Sequence, residues 1–118
     1  MTTTEYRPTT PDSLNADWTR PTSSDDWIAR AHEVAAILAT DAAARDRAAA
    51  TPTAEVALLK ASGLVTLLGP VEHGGGGQEW PTAYRVIREV AAGDGSIGQL
   101  LGYHLLFVDE LPEPTWYS

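Results

Sequence analysis

Cysteine is absent from the sequence, which excludes disulfides, thiol nucleophiles and thiolate metal ligands. Positive charge is scarce, because 8 Lys and Arg residues stand against 16 Asp and Glu residues and leave a formal net charge of -8. Nucleic acids and anionic membrane surfaces bind proteins through cationic side chains, so we expect neither as a partner. The histidines at 32, 73 and 104 lack metal-ligand spacing, and we expect no metal site.

A long apolar run is also missing. The longest apolar stretch, residues 97–108, is interrupted by two glycines, Gln99 and His104, and is too short to cross a bilayer. Residues 1–26 contain no apolar segment of the kind that a secretion signal needs. We therefore expect a cytoplasmic protein.

A helical pattern follows a polar beginning. Residues 1–23 are rich in Thr and Pro and predict a disordered tail, although its aromatic residues Tyr6 and Trp18 leave open that part of it docks. A first helix is predicted from Ser24 to about residue 50, with two aspartates in its first turn. The Thr51-Pro52 pair ends it, since a residue before proline avoids the helical region.

Three further helices complete an all-α fold. Residues 53–62 predict the second helix, and residues 81–92 predict the third, with Tyr84, Ile87 and Ala91 on one stripe. Between these two helices, the four glycines at 74–77 predict a flexible loop. The fourth helix is capped by Asp94 or Ser96. Its predicted apolar stripe comprises Ile97, Leu100, Leu101, His104, Leu105 and Val108.

Two glycine motifs have well-known functional interpretations that the rest of the sequence does not support. The string His-Gly-Gly-Gly at 73–76 occurs in esterase oxyanion holes, but no Gly-x-Ser-x-Gly nucleophile elbow accompanies it. The string at 93–98 matches the Gly-x-Gly-x-x-Gly dinucleotide fingerprint, which requires a preceding buried strand. The preceding residues have helical periodicity, so a connection between two helices is favoured.

Six short strings, taken in order, resemble one family. They are Arg45-Asp46-Arg47, Ala61-Ser62-Gly63-Leu64, the heptapeptide at 69–75, Trp80-Pro81-Thr82-Ala83, the pentapeptide at 94–98 and Gly102-Tyr103-His104-Leu105. Over residues 26–108 the chain resembles the N-terminal helical domain of the acyl-CoA dehydrogenase superfamily. The strings at 80–83 and 102–105 are most similar to its flavin-dependent monooxygenase branch, the dibenzothiophene monooxygenase-like enzymes.

The resemblance implies a helical domain at residues 24–108 of a larger enzyme. That enzyme also has a middle β-domain and a C-terminal four-helix bundle, and it assembles as a homotetramer. The implied activity is oxidation of a sulfur or nitrogen centre of a small-molecule substrate by reduced flavin, FMN or FAD, and oxygen. A separate flavin reductase is the implied partner. Because the other domains supply most flavin contacts and the family's catalytic base, we expect no catalytic residue, flavin binding or activity in this chain alone.

The same resemblance gives three candidate pocket residues. It places Tyr103 near the flavin and substrate, and His104 belongs to the same string. Gln99 stands where related sequences have histidine. From its stripe, the His104 ring is expected either in the core with a hydrogen-bond partner or lining a cavity. Residues 109–118 no longer resemble the family, and we hypothesise a truncated or frameshifted gene product.

Two alternative functions remain open. The first is a fragment of a plain acyl-CoA dehydrogenase, in which a carboxylate removes a proton while hydride passes to flavin. The second is a non-catalytic helical interaction module. This alternative rests on the fourth helix, because its Leu-rich face is expected to need a partner surface and uncovered apolar patches mark interfaces.

Overall fold

The computed structural model describes residues 18–48 and 51–110. The regular elements of this part are all helices, without strands, so the predicted all-α class is confirmed. Short 3-10 helices occupy Leu64–Thr66 and Val71–His73. The described residues form five α-helices, α1 (Ser24–Ala39), α2 (Ala42–Ala48), α3 (Thr53–Ala61), α4 (Trp80–Gly93) and α5 (Gly95–Glu110).

Helix α1 begins at a capping box. The Ser23 hydroxyl accepts a hydrogen bond from the Asp26 amide, and the Asp26 carboxylate accepts one from the Ser23 amide. Asp26 Oδ2 also accepts from the Thr22 hydroxyl at 2.8 Å and the Thr22 amide at 3.1 Å. The Thr22 hydroxyl is the largest of the causes that lower the pKa of Asp26 below its ordinary value of 3.8.

The prediction of one continuous helix to about residue 50 is wrong. Helix α1 ends at Ala39, and α2 starts again at Ala42. At the break, Thr40 donates from its amide and, at 2.7 Å, from its hydroxyl to the Ile37 carbonyl. A threonine hydroxyl can compete for the backbone carbonyls that form α-helical hydrogen bonds. Here the Thr40 amide bonds to the carbonyl three residues earlier, as in a 3-10 turn, and not to the one four residues earlier.

The core forms around α4, which packs against α1 and against α5. Helix α4 packs on α1, and α5 returns antiparallel to α4 while also touching α3 and the 3-10 helix at 64–66. Asp94 makes the turn between α4 and α5, because its Oδ1 accepts from the amides of Ser96 and Ile97. The buried core residues are Trp27, Ala31, Val34, Leu38, Leu58, Leu59, Leu64, Leu67, Ala83, Val86, Val90, Ile97, Leu101 and Leu105.

Two glycines let these helices approach closely. A Cβ at Gly93 would lie 2.2 Å from the Ala35 carbonyl oxygen of α1, and a Cβ at Gly98 would lie 2.6 Å from the Ala91 Cβ of α4. Neither distance leaves room for a side chain. Gly93 and Gly98, the first and last glycines of the apparent dinucleotide motif, therefore serve helix packing, and the element before them is a helix, as predicted.

The predicted stripe of α4 is wrong in part. The buried residues of α4 are Ala83, Val86 and Val90, whereas Tyr84 is exposed. Ile87 and Ala91 lie on the side of α4 that approaches α5, where they oppose Gly102 and Gly98. Helix α4 thus contacts two neighbours, and a single stripe does not describe it.

The glycine loop after Pro70 is held by backbone hydrogen bonds. The amides of Gly75, Gly76, Gly77 and Gln78 donate to the carbonyls of residues 70, 66, 69 and 67 at 2.8–2.9 Å. Gly74 and Gly77 have φ of 87° and 63°, values that favour glycine. The prediction of a flexible loop is therefore wrong, because these amides are bonded within the fold.

The described end of the predicted tail, residues 18–23, contacts the helical body. The Arg30 guanidinium lies 4.9 Å from the centroid of the Trp18 ring and donates to the Thr19 carbonyl. Docking of Trp18, which the sequence left open, is observed. Residues 1–17 and 111–118 lie outside the described residues.

Within residues 18–48 and 51–110, no helix combines the length and apolar character that crossing a bilayer requires.

Candidate functional site

Helix α5 has one apolar face in the core and another in solvent. Ile97, Leu101 and Leu105 are buried. The opposite side carries large side chains that are 43–69% exposed. We call this surface the α5 outer face; its apolar residues are Leu100, Tyr103, Leu106 and Phe107.

The predicted stripe on α5 needs a correction. Leu100 and His104 were placed with the buried residues, but both are exposed. At 100° per residue they lie to one side of the line through Ile97, Leu101 and Leu105. Val108 belongs to α5, but the structure does not describe its side chain. Of the Leu-rich face expected to need a partner, Ile97, Leu101 and Leu105 are covered inside this chain, whereas Leu100 is exposed and belongs to the outer face.

The outer face is unusual because it has no charge. No Asp, Glu, Lys or Arg occurs from Gly95 to Val108, in a chain with 20% charged residues. A helix that is apolar on most of its circumference is normally buried. A surface of this kind is typical of a contact with another protein segment or a ligand.

Gln99 and Tyr103 supply the polar atoms of this face. They lie one turn apart, and the Gln99 Nε2 is 3.5 Å from the Tyr103 Oη. Tyr103 is 60% exposed. The Tyr103 hydroxyl and the Gln99 amide therefore remain available to a further hydrogen-bond partner beside apolar Leu100 and Phe107.

His104 lies at the edge of the outer face. Its Nε2 is 3.1 Å from the Val65 carbonyl oxygen, so the tautomer with a proton on Nε2 donates to that carbonyl. The expectation that His104 is a core group is wrong, because the ring is exposed. Its hydrogen bond instead ties α5 to the 3-10 helix at 64–66.

Helix α4 also exposes an aromatic residue. Tyr84 is 61% exposed, and its ring centroid lies 5.3 Å from that of Trp80. Helices α4 and α5 are antiparallel, and Ile87 of α4 lies opposite Gly102 of α5. Tyr84 precedes Ile87 by about one turn, so it lies at the level of Leu106, about one turn after Gly102. Tyr84 is thus an exposed aromatic residue of α4 at the level of the outer face.

The described residues hold no cluster of three or more His, Asp or Glu that could ligate a metal ion. The outer face offers a phenol, an amide and apolar side chains. Such a surface can position an aromatic ligand and exclude water from one side of it.

A model of the acyl-CoA dehydrogenase N-terminal domain matches residues 28–111. The chain belongs to the acyl-CoA dehydrogenase N-terminal domain family. The family match includes all of α3, α4 and α5, and so it includes Gln99, Tyr103 and His104.

The similar curated proteins are monooxygenases. A dibenzothiophene monooxygenase of Rhodococcus erythropolis is 50% identical over 86 residues, which are 73% of this chain and 21% of the relative. One from Mycolicibacterium goodii is 51% identical over 61 residues, 52% of this chain and 15% of the relative. The probable FMNH2-dependent monooxygenase SfnC of Pseudomonas putida is 40% identical over 81 residues, 69% of this chain and 20% of the relative.

This member of the acyl-CoA dehydrogenase N-terminal domain family spans about a fifth of the length of the curated relatives it matches. No solved structure matches the chain significantly.

Sequence reasoning missed Leu106, Phe107 and Tyr84 as surface residues of interest. The sequence did contain a signal for them, because residues 95–108 include no charged side chain. A helix without charge is expected to be buried by other protein segments on every side, and not along one stripe alone.

Proposed function

We propose that residues 24–108 act as the N-terminal helical domain of a flavin-dependent monooxygenase. The observation that supports this proposal is the 50% identity over 86 residues to a protein named dibenzothiophene monooxygenase. The proposed reaction oxidises a sulfur or nitrogen centre of a small-molecule substrate. Reduced flavin, when bound, supplies two electrons, so that one atom of O2 enters the substrate and the other leaves as water.

The α5 outer face fits one wall of a flavin or substrate pocket. An isoalloxazine or thiophene-type ring system has flat apolar surfaces, which Leu100 and Phe107 can contact. The Tyr103 hydroxyl can donate to a ring heteroatom, and Gln99, 3.5 Å away, orients that hydroxyl. His104 fixes the position of α5 through Val65. The residues present therefore fit one side of the group, and the rest of the pocket comes from further domains.

The cofactor and partners follow from the same proposal. The relative named as FMNH2-dependent favours FMN over FAD and a separate reductase that delivers reduced flavin. A homotetramer is the proposed assembly of the whole enzyme. This chain alone is proposed to bind no flavin, because a single exposed helix face does not enclose a ligand.

A chimera tests the proposal. The 86 matching residues of the Rhodococcus erythropolis enzyme are replaced by those of this chain, and dibenzothiophene oxidation is measured with FMN and a flavin reductase. The expected result is flavin retention and formation of an S-oxygenated product. A folded chimera that binds flavin but leaves dibenzothiophene, a sulfide and an amine unchanged would refute the monooxygenase assignment.

Variants of the chimera test the pocket residues. Tyr103→Phe removes the hydroxyl and keeps the ring, and we expect kcat/KM to fall about tenfold or more, the effect of about 1.4 kcal/mol. Gln99→Ala is expected to give a smaller loss in the same direction. Arg85→Gln on the solvent side of α4 is the control and is expected to keep full activity. Unchanged kinetics in Tyr103→Phe would remove Tyr103 from the pocket.

The exposed outer face also favours the interaction-module alternative, because an uncovered apolar surface suits a protein partner. A flavin-loaded chimera separates the two functions, since a pure interaction module would not support flavin binding. For the acyl-CoA dehydrogenase alternative, the test is bleaching of oxidised flavin by an acyl-CoA. We expect no bleaching.

A further inference from the structure

A cleft of about 320 Å³ is lined by no residue of α5. It is bounded by the segment at 18–21, by α1, by the end of α3 and by the glycine loop. Three cationic residues line it, Arg20, Arg30 and Lys60, together with Trp18 and Trp27. No Asp or Glu is among its lining residues.

The positive charges of this acidic chain are distributed unevenly and are concentrated at the cleft. The whole sequence has only 8 Lys and Arg residues, and three of them meet here although the net charge is -8. In the described part of the chain, no carboxylate forms an ion pair with any of the three. Charges of one sign in a concave site reinforce one another and raise the local concentration of the opposite ion.

The two arginines are held in place by neutral backbone groups. Arg20 Nη2 donates to the Gly75 carbonyl at 2.8 Å, and Arg30 Nη1 donates to the Ser62 carbonyl at 2.5 Å. Arg30 is 6% exposed and stacks on Trp18. Carbonyl partners fix the guanidinium groups, and no carboxylate among the described residues serves them as a counter-ion.

Two buried N–H groups of residues that line the cleft have no acceptor among the described residues. They are Arg30 Nε and Trp27 Nε1, and both side chains are more than nine-tenths buried. An unsatisfied buried donor costs about 1–3 kcal/mol, so an acceptor that reaches it is favoured. Both residues line the cleft that holds the three cations.

We propose that this cleft binds the anionic group, a phosphate or a carboxylate, of a small molecule. Arg20 and Lys60 contact the anion from the exposed rim, and Arg30 supplies charge from the buried floor. The site is separate from the α5 outer face, so it does not depend on the monooxygenase proposal.

The test is an NMR titration of the 118-residue chain with inorganic phosphate and, separately, acetate, each replacing chloride at constant ionic strength. The indole N–H signals of Trp18 and Trp27 are the readout. We expect saturable shifts at one or both signals, and a rise of Tm with the same anion, because a ligand that binds the folded state stabilises it. Whichever anion saturates at the lower concentration identifies the recognised group.

Charge variants make the test specific. Arg20→Gln and Lys60→Gln are expected to weaken binding at least fivefold, while Lys60→Arg retains it. Arg85→Gln removes the same charge from a solvent-facing position of α4 and is expected to leave binding unchanged. Shifts that grow linearly with both anions, or an equal loss in Arg85→Gln, would overturn the proposal.

Discussion

At the scale of single residues, Leu101 shows how α5 is fixed to the core. It is fully buried midway along the helix, so Leu101→Ala removes contacts that the surrounding core cannot refill completely. We expect a loss of about 2–5 kcal/mol in the free energy of unfolding, measured by urea denaturation. Leu106→Ala is the matched control on the exposed side of the same helix, with an expected change below about 0.5 kcal/mol. Equal losses in the two variants would contradict the assignment of faces.

Asp26 gives a pH-dependent effect at the same scale. Hydrogen bonds from Thr22 and Ser23 lower the pKa of its carboxyl in the folded state, so the unfolded state binds the proton more readily. This contribution to stability is present above the unfolded pKa of about 3.8 and is lost as pH falls through the lower folded value. We expect Asp26→Asn to be less stable at pH 6 and to lose less stability between pH 5 and pH 2 than the parent chain. Parallel curves of Tm against pH would show that Asp26 does not contribute.

At the scale of elements, the α4–α5 contact depends on the absence of a side chain at Gly98. An added Cβ would meet Ala91 at 2.6 Å, so Gly98→Ala must push the two helices apart. We expect a cost of about 1–3 kcal/mol by thermal or urea unfolding. Gly95→Ala is the matched control, because no atom lies within 4 Å of its added Cβ and alanine favours a helix. A stabilised Gly98→Ala variant would show that the helices are not in this close contact.

The starts of α1, α4 and α5 were predictable from the sequence, because each depends on a few adjacent residues. Aspartates in the first turn, Pro81 and Asp94 are local signals, and the helices begin where those signals occur. The break after α1 was not predictable in this way. Thr40 competes for the Ile37 carbonyl within a run that otherwise favours a helix, and composition alone does not show which bond forms.

At the scale of the whole molecule, the outer face is expected to affect assembly with further domains but not the stability of this chain. Phe107 is 69% exposed, so Phe107→Gln is expected to change the unfolding free energy of this chain by less than about 0.5 kcal/mol. In the chimera the same face is expected to be covered, and the variant should lose flavin during gel filtration. Ala36→Gln on the exposed side of α1 is the control and should retain flavin. Equal flavin retention in both would show that the outer face is not covered.

The candidate site was predictable only in part, because its exposure depends on how the helices pack. The string at 102–105 gave Tyr103 and His104 as candidates through a family resemblance, whereas which side of α5 faces the core depends on the approach of α4. Helical periodicity grouped Leu100 and His104 with Leu101, although the buried arc is narrower and leaves both outside it. The angular width of a buried face depends on neighbours that lie far apart in sequence.

The hydrogen bonding of the glycine loop has a consequence for isotope exchange. Each amide from Gly74 to Gln78 donates to a carbonyl between Thr66 and Val71, so none can exchange with solvent until the loop opens. Five consecutive residues, four of them glycine, should therefore take up deuterium as slowly as the helices beside them. The glycine loop, which has almost no side-chain atoms, is thus kept closed by its backbone hydrogen bonds. It would open only together with the turn at 64–71.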